Sequence, residues 1–384
     1  MKRRNQSSHF SLLAASLLPG MGHILLGKHS RGLPLLAFTL AIILVLYWRW
    51  QVFLNVFFTT WIDHWLAAVF LIASLAASLI YSVWDVRRLL TPTPEGPRGK
   101  SPFQLVRRRF RANRLAVTAL YLIAVFYILA ILAPILATYD PSAITDVLQT
   151  RYLTPSLEHP FGTDEFGRDL LSRALYGARV SLSVGLLAVL IAISIGTIYG
   201  AVAGYFGGLI DNVLMRIVDV IIAFPTFFLM LMLVGIFEAN IVFLVLILGL
   251  TSWLGTARFI RGELLSLKQR EFTEAARAIG LPSRLIIFRH LIPNAMSPVL
   301  VSAALMVGGM IAAEAGLSFL GIGIRPPTPS WGNMVSAGQD ALLVAWWVAF
   351  FPGALLALTV VCFNLLADGL RDALDPKALM RRFV

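Results

Sequence analysis

Few side chains in this sequence could do covalent chemistry, and they are scattered. The densest group is Phe161-Gly162-Thr163-Asp164-Glu165-Phe166-Gly167-Arg168-Asp169. Paired carboxylates can act as general acid and base. Here no Ser/His pair or metal-ligand cluster stands beside them, and His159 is the one nearby candidate. A structural cap, with Arg168 pairing one of the acids, suits these residue types better. Glu314 is the one ionisable group embedded in a long apolar run. Such a group is a functional candidate inside a membrane. Counting about 1.5 Å per helical residue from Asn294 places it roughly 30 Å along its helix, near one interface, where a hydrogen bond at a helix end is the expected role. Gly99-Lys100-Ser101 has the closing residues of a phosphate-binding loop, but Pro94 stands where the opening glycine is required and no strand precedes it. His9, His23 and His29 are too spread for a metal site, and Cys362 is the only cysteine. That excludes a disulfide framework, a Cys-rich zinc site and an iron–sulfur cluster. No catalytic residue, metal ligand or cofactor is assigned.

The elements that carry these residues are dictated by composition. Of 384 residues, 58% are hydrophobic and only 14% are charged. A soluble domain carries about 25% charge, so this chain cannot clothe its surface in water. The fold class is all-α, a polytopic membrane protein. A bilayer core of about 30 Å takes roughly 20 apolar helical residues. Suitable runs fall at about 33–48, 65–84, 116–138, 180–203, 219–237, 239–257, 295–318 and 344–366, which predicts eight spans. The stretch Phe10–Leu26 follows Met1-Lys2-Arg3-Arg4 like a signal peptide, but Pro19-Gly20-Met21-Gly22 breaks it. It reads as a retained re-entrant or interfacial hairpin.

The net charge of +12 is local rather than global. Between Asp85 and Arg114 there are nine basic residues and two acids. This marks a cytoplasmic loop by the positive-inside rule rather than a nucleic-acid surface. Residues 258–294 hold seven basic residues and three acids and read as inside; 139–179, with four Arg and six acids, reads as outside. Both termini then lie in the cytoplasm. The 204–218 loop, with Asp211, Arg216 and Asp219 near it, carries no such bias. Thr91-Pro92-Thr93-Pro94-Glu95-Gly96-Pro97-Arg98-Gly99 reads as linker. The expected organisation is an N-terminal extension over 1–90 with two spans, a basic linker over 91–115, and a six-span domain over 116–384.

Two patterns concern helix contact. Gly196, Gly200 and Gly204 repeat every fourth residue. Small residues at that spacing let helices approach closely in lipid; the partner helix could lie in this chain or another. In the 258–294 loop, residues 271–279 are good helix formers. Gly280 suits a left-handed helix end, Pro282 the first turn of a second helix, and Pro293 precedes the next span. Two short helices meeting at a sharp turn are expected. Ala275, Ala276 and Ala278 present little bulk, so another surface could approach. On spacing alone an amphipathic loop lying on the membrane surface explains the pattern equally well.

Glu274-Ala275-Ala276, Gly280 after a three-residue gap, and Ile292-Pro293 resemble the EAA loop of ABC importer permeases. Further stretches resemble the dipeptide, oligopeptide and nickel branch, in its C-type subunit. They are the Phe161–Asp169 segment, Asp211–Asp219, Glu314–Gly323, Pro326-Pro327-Thr328-Pro329-Ser330-Trp331-Gly332, and Asp368–Pro376. The resemblance covers about 101–384 and leaves 1–90 unassigned. It implies a permease subunit of an ATP-driven importer, with no nucleotide site of its own, in a bacterial or archaeal cytoplasmic membrane. It implies a homologous permease as heterodimer partner, two P-loop ATPase subunits below and an extracytoplasmic substrate-binding protein above. It implies that Glu271, Glu274, Ala275, Ala276, Gly280, Pro282, Arg289 and Pro293 form the ATPase-docking coupling loop. Gly162, Asp164, Gly167, Arg168, Asp169, Glu314, Pro327 and Trp331 then belong to outer-face or structural motifs. The solute class implied is peptides or a similar small solute. A self-sufficient secondary transporter or channel is the alternative; it needs intramembrane charges for ion coupling, and only Glu314 qualifies. A membrane-embedded enzyme would need catalytic clusters at membrane depth, which the sequence lacks.

Overall fold

The computed structural model describes residues 11, 14–15, 18–52, 62–90, 102–144, 146–237 and 240–375. Among them the chain is helical, without a strand; an isolated bridge joins Thr163 to Asp169. Two compact units form, Met1–Lys100 with Ile131–Thr138, and Ser101–Ala130 with Tyr139–Val384. The phosphate-loop-like residues, the Pro-rich segment 91–99 and the tail from 376 lie outside the described residues.

In the first unit, α1 (Met21–Leu25) is followed by α2 (His29–Trp48) and α3 (Ile62–Leu90). Both α2 and α3 are long and apolar enough to span a membrane. Part of the expected 10–27 hairpin lies outside the described residues. The rest turns at 18–20 and forms α1, whose five residues cannot span. Gly20, at φ 95°, starts α1 and donates its N–H to Ser82 Oγ at 3.2 Å. Asp85, nearly buried on α3, is held by His23 Nε2 at 3.0 Å and Arg31 Nη1 at 3.0 Å. A buried carboxylate is tolerable only with such partners. At the far end of α2, Arg49 donates to the Ile135 carbonyl at 2.8 Å and to the carbonyl oxygens of Leu136 and Ala137. Those are helix-end acceptors with no other helical partner.

In the second unit, α4 (Pro102–Ala112) occupies part of the stretch expected as linker. Its end is tied by Arg109 to the Asp375 carbonyl at 3.3 Å. Next come α5 (Arg114–Ile131), α6 (Leu170–Phe206), α7 (Gly208–Ile222), α8 (Thr226–Ile236) and α9 (Ile241–Leu267). After them α10 (Glu271–Ala278) leads to α11 (Ile292–Phe319), α12 (Trp331–Gln339) and α13 (Trp347–Leu374). The core lies where α6 meets α9 and α11, filled by Val184, Ala188, Leu248, Ile311 and Leu317 and closed by the fully buried Trp331.

Among the described residues seven helices are long and apolar enough to cross a membrane, or eight if the bent pair α7 and α8 is one span. Several expected boundaries moved, for identifiable reasons. The 219–237 run is not one straight helix: α7 and α8 meet at 78°, because Pro225 at the junction has no N–H to continue the ladder. The 204–218 loop is largely α7, with a break only at Gly207 (φ 68°). Its acids are answered from the next span: Asp211 takes a forked pair from Arg261, at 2.6 Å on one arm, and Asp219 pairs with Arg258 at 2.5 Å. Those arginines let α9 run on to Leu267, ten residues past the apolar stretch. The 116–138 run ends as helix at Ile131, and Ala133–Leu136 forms a separate short turn carrying Pro134. The last helix runs through Pro352 to Leu374.

The glycine seam lies within this chain. A Cβ on Gly196 would sit 2.6 Å from Thr256 Cβ, and one on Gly204 2.8 Å from the Arg261 carbonyl oxygen. A Cβ on Gly200 would strike the Ala257 carbonyl. Every obstacle is on α9, and two are backbone, which cannot step aside. Gly200→Val is therefore expected to part α6 from α9 and to cost about 3 kcal/mol, the upper range for overpacking. A lowered thermal midpoint of the detergent-purified protein, absent in Gly255→Ala, checks it.

Candidate functional site

The segment between α9 and α11 folds as a compact loop built from its own caps. Arg270 precedes α10, which starts with Glu271. Gly280, at φ 77°, closes it: its N–H donates to the Arg277 carbonyl at 2.9 Å, and the Leu281 N–H reaches the Ala276 carbonyl at 3.1 Å. That pair of bonds is a Schellman close, which needs the left-handed conformation glycine adopts without penalty. Pro282 then caps the next turn, Ser283–Leu285, instead of standing inside its first turn. A π-helical stretch, Ile286–Leu291, carries Arg289 and leads into α11, where Pro293 occupies the first turn. Wide helical turns of this kind are frequent at functional sites.

The loop is fastened to both neighbouring helices. Thr273 is fully buried and donates its hydroxyl to the Leu267 carbonyl at 2.8 Å, pinning α10 to the end of α9. Ala276, Ile286, Ile287 and Leu291 share one apolar cluster with Ala201 and Tyr205 of α6 and Leu264 of α9. Arg277 lies over the Tyr205 ring at 5.2 Å, and the Tyr205 hydroxyl meets Ser283 Oγ at 3.3 Å. Ala276 is thus buried in its own chain, so of the three alanines only Ala275 and Ala278 remain exposed for a second surface. Glu271, Glu274, Gly280, Pro282, Arg289 and Pro293 are exposed as well. Thr273 and Tyr205 were missed by sequence reasoning. A threonine and a tyrosine carry no signal of this role without the fold.

The acidic segment before α6 forms a tight polar knot. Asp164 accepts from Arg168 Nε at 2.7 Å and from the backbone N–H groups of Phe166 and Arg168, with Arg173 Nε at 3.5 Å. Gly162 (φ 75°) and Gly167 (φ 72°) make the bends that allow it. Asp169 caps α6 through the Ser172 N–H at 2.8 Å and holds His159 Nδ1 at 3.0 Å. Tyr139 lies tilted against the His159 ring, and burial, reinforced by Glu158 and Asp169, pushes its phenol pKa up. Asp164, Arg168 and Asp169 are each buried, the first two bonded to each other and Asp169 to His159 and Ser172. Arg168 thus pairs with an acid of its own segment.

Glu314 is fully buried in α11 and bonded within the chain: Ser181 of α6 donates to Oε2 and Ser318 to Oε1, both at 2.8 Å. Ser181 also accepts the Trp331 backbone N–H at 3.3 Å, while the Trp331 indole donates to the Ala174 carbonyl at 3.0 Å. Pro327 is exposed in the turn before α12, whose start is fixed by a reciprocal Ser330–Asn333 cap. Glu314 and Trp331 are thus one joint between α6, α11 and α12. Among the described residues no group of three or more His, Cys, Asp or Glu could hold a metal ion.

Comparison with known proteins places these features in a family. Residues 196–380 match the binding-protein-dependent transport system inner membrane component, and 101–155 match the N-terminal transmembrane domain of oligopeptide transport permease C. The chain is 44% identical over 282 residues to the oligopeptide transport system permease OppC of Haemophilus influenzae, covering 73% of this chain and 90% of that one. It is 41% identical over 271 residues to the dipeptide transport system permease DppC of Bacillus subtilis, covering 70% and 84%. It is 41% identical over 278 residues to the glutathione transport system permease GsiD of Escherichia coli O6:K15:H31, covering 72% and 91%.

Removing the acid from the knot before α6 leaves two buried guanidinium groups without their partner. Asp164→Ala is expected to cost about 3–5 kcal/mol, read as a fall in thermal midpoint. The double change Asp164→Ala with Arg168→Ala should cost less than the two single losses added.

Proposed function

The chain belongs to the family of binding-protein-dependent transport inner-membrane components, and we propose that within an ATP-driven importer it forms one half of a channel for di- or oligopeptides. It is a multi-pass membrane transport subunit. The relatives named above carry oligopeptides, dipeptides and glutathione, which share a peptide backbone. In this reading a homologous permease supplies the other half of the channel. Two P-loop ATPase subunits dock from the cytoplasm, one of them on α10, and hold the nucleotide that this chain does not. A substrate-binding protein docks opposite, near the Asp164–Asp169 knot. Both termini face the cytoplasm, and the 1–90 extension, with its own two spans, is an addition to the six-span permease.

The observation that carries this reading is the way α10 is fastened. Closing ATPases would push on a lever whose exposed side offers Glu271, Glu274, Ala275 and Ala278, while its other side is bolted to α9 and α11. A push on α10 then moves both spans together, and the channel rocks between inward-open and outward-open. The work is the conversion of one rigid-body motion into another, with no bond made in this chain.

The test separates docking from transmission. No atom lies within 4 Å of a Cβ added to Gly280, so a substitution there strains only the backbone. A left-handed non-glycine residue costs about 1–2 kcal/mol, a factor of about 5–30 in the turn's population. Gly280→Val in the reconstituted importer should lower peptide uptake per ATP hydrolysed several-fold, and Gly280→Asn, which tolerates that conformation, should restore most of it. Unchanged coupling in Gly280→Val would refute the lever. Glu274→Lys, on the exposed side, should weaken retention of the ATPase subunits on purification without changing the thermal midpoint of this chain.

A further inference from the structure

A cavity of about 440 Å³ opens between α6, α8, α9 and α11, beside the glycine seam at Thr256. Met230, Ser252, Gly255, Thr256, Met306 and Gly309 are among its walls, and no charged side chain lines it. We propose that this cavity receives an apolar side chain of the peptide in transit. The proposal rests on the reading of the chain as half of a peptide channel.

Position is the first argument. Met306 lies fourteen residues from the start of α11, midway along its 28 residues and about 21 Å in at about 1.5 Å per residue. Secondary transporters hold their solutes near the midplane of the bilayer. The second argument is mechanical. The cavity's two main walls, α9 and α11, are the two helices that α10 joins, so motion of the loop reaches the cavity with no element between.

The third argument is chemical. The volume is in the range of small-molecule pockets, about 300–1,000 Å³. Thioether side chains are flexible and adapt to differently shaped apolar groups, which suits a solute whose side chains vary. Among the described residues, Ser252 and Thr256 spend their hydroxyls on the sulfurs of Met310, at 3.8 Å, and Met306, at 3.7 Å. A wall facing acyl chains gains nothing from such hydroxyls. With no charge in the wall, the peptide's termini are not held there, and a side chain is the part that fits.

The glycines are the fourth argument. Those of the seam are jammed against α9, whereas a Cβ on Gly255 or Gly309 would meet nothing within 4 Å. In this chain they keep space open instead of bringing helices together. That makes them positions where the cavity can be filled without disturbing the fold.

The experiment fills it in the complete reconstituted importer, with radiolabelled alanyl-alanine and phenylalanyl-phenylalanine as probes. Gly309→Val should leave alanyl-alanine uptake within about two-fold and reduce that of phenylalanyl-phenylalanine about ten-fold, the scale of a lost hydrophobic-pocket contact. ATP hydrolysis should persist. In a Cys362→Ala background, which removes the only native cysteine, Gly309→Cys should react with a charged, membrane-impermeant methanethiosulfonate. Equal uptake of both dipeptides by Gly309→Val, with no labelling of Gly309→Cys, would overturn the proposal in favour of a lipid-facing groove. Loss of the partner permease from Gly309→Val on purification would overturn it in favour of a subunit interface. Labelling of Gly309→Cys in an importer that moves neither dipeptide would refute the peptide reading and keep the cavity on the solute's path.

Discussion

The close approach of α6 to α9 is the contact on which the second unit depends. Three glycines on α6 bring it against the α9 backbone, where any side chain would intrude. Within lipid there is little hydrophobic drive between helices, so dispersion over such a seam does much of the holding. With 37 residues, α6 is about 55 Å long, more than a bilayer with its headgroups. Its length lets one helix serve three stations. Asp169 caps its start, Ser181 meets Glu314 and Trp331 along its course, and Tyr205 at its far end anchors the loop that carries α10.

Among the described residues, each buried carboxylate in this apolar setting is answered inside the chain. Asp164 has Arg168, Asp85 has His23 and Arg31, Asp211 has Arg261, and Glu314 has two serine hydroxyls. A charge left alone there would be costly, and one answered by a neighbouring helix fixes the register between the two. The pairs Asp211–Arg261 and Asp219–Arg258 do this for α7 and α9, and so extend the helical scaffold down to the loop. The result is a set of stiff levers joined at short breaks, at Gly207, Pro225 and Gly280. That suits a protein whose task is to transmit movement.

Much of this was legible in the sequence because lipid imposes a simple rule. Runs of about 20 apolar residues must be helices, and the spans fell near where those runs lie. The Gly280 turn was legible because one residue type dominates left-handed helix ends. That Arg168 pairs one of the neighbouring acids followed from residue types, but its choice of Asp164 over Glu165 or Asp169 did not. What was hidden depended on partners distant in sequence. α9 continues past its apolar run because Asp211 and Asp219, about fifty and forty residues earlier, neutralise its arginines. The burial of Ala276 depends on Tyr205, and the partner of the glycine seam on which helix lies opposite; neither leaves a periodic signal. The His23–Asp85 pair joins residues 62 apart in the N-terminal unit, where no family motif pointed to either.

The central claim is that this chain works as one subunit of an ATP-driven machine whose energy enters through α10. Gentle detergent extraction of the tagged chain from its native membranes, followed by mass spectrometry of the co-purifying proteins, tests it most directly. Recovery of a second, homologous permease together with one or two P-loop ATPases is the expected result. A lone chain or a homo-oligomer, stable and free of ATPases, would contradict the claim and leave α10 without anything to drive it.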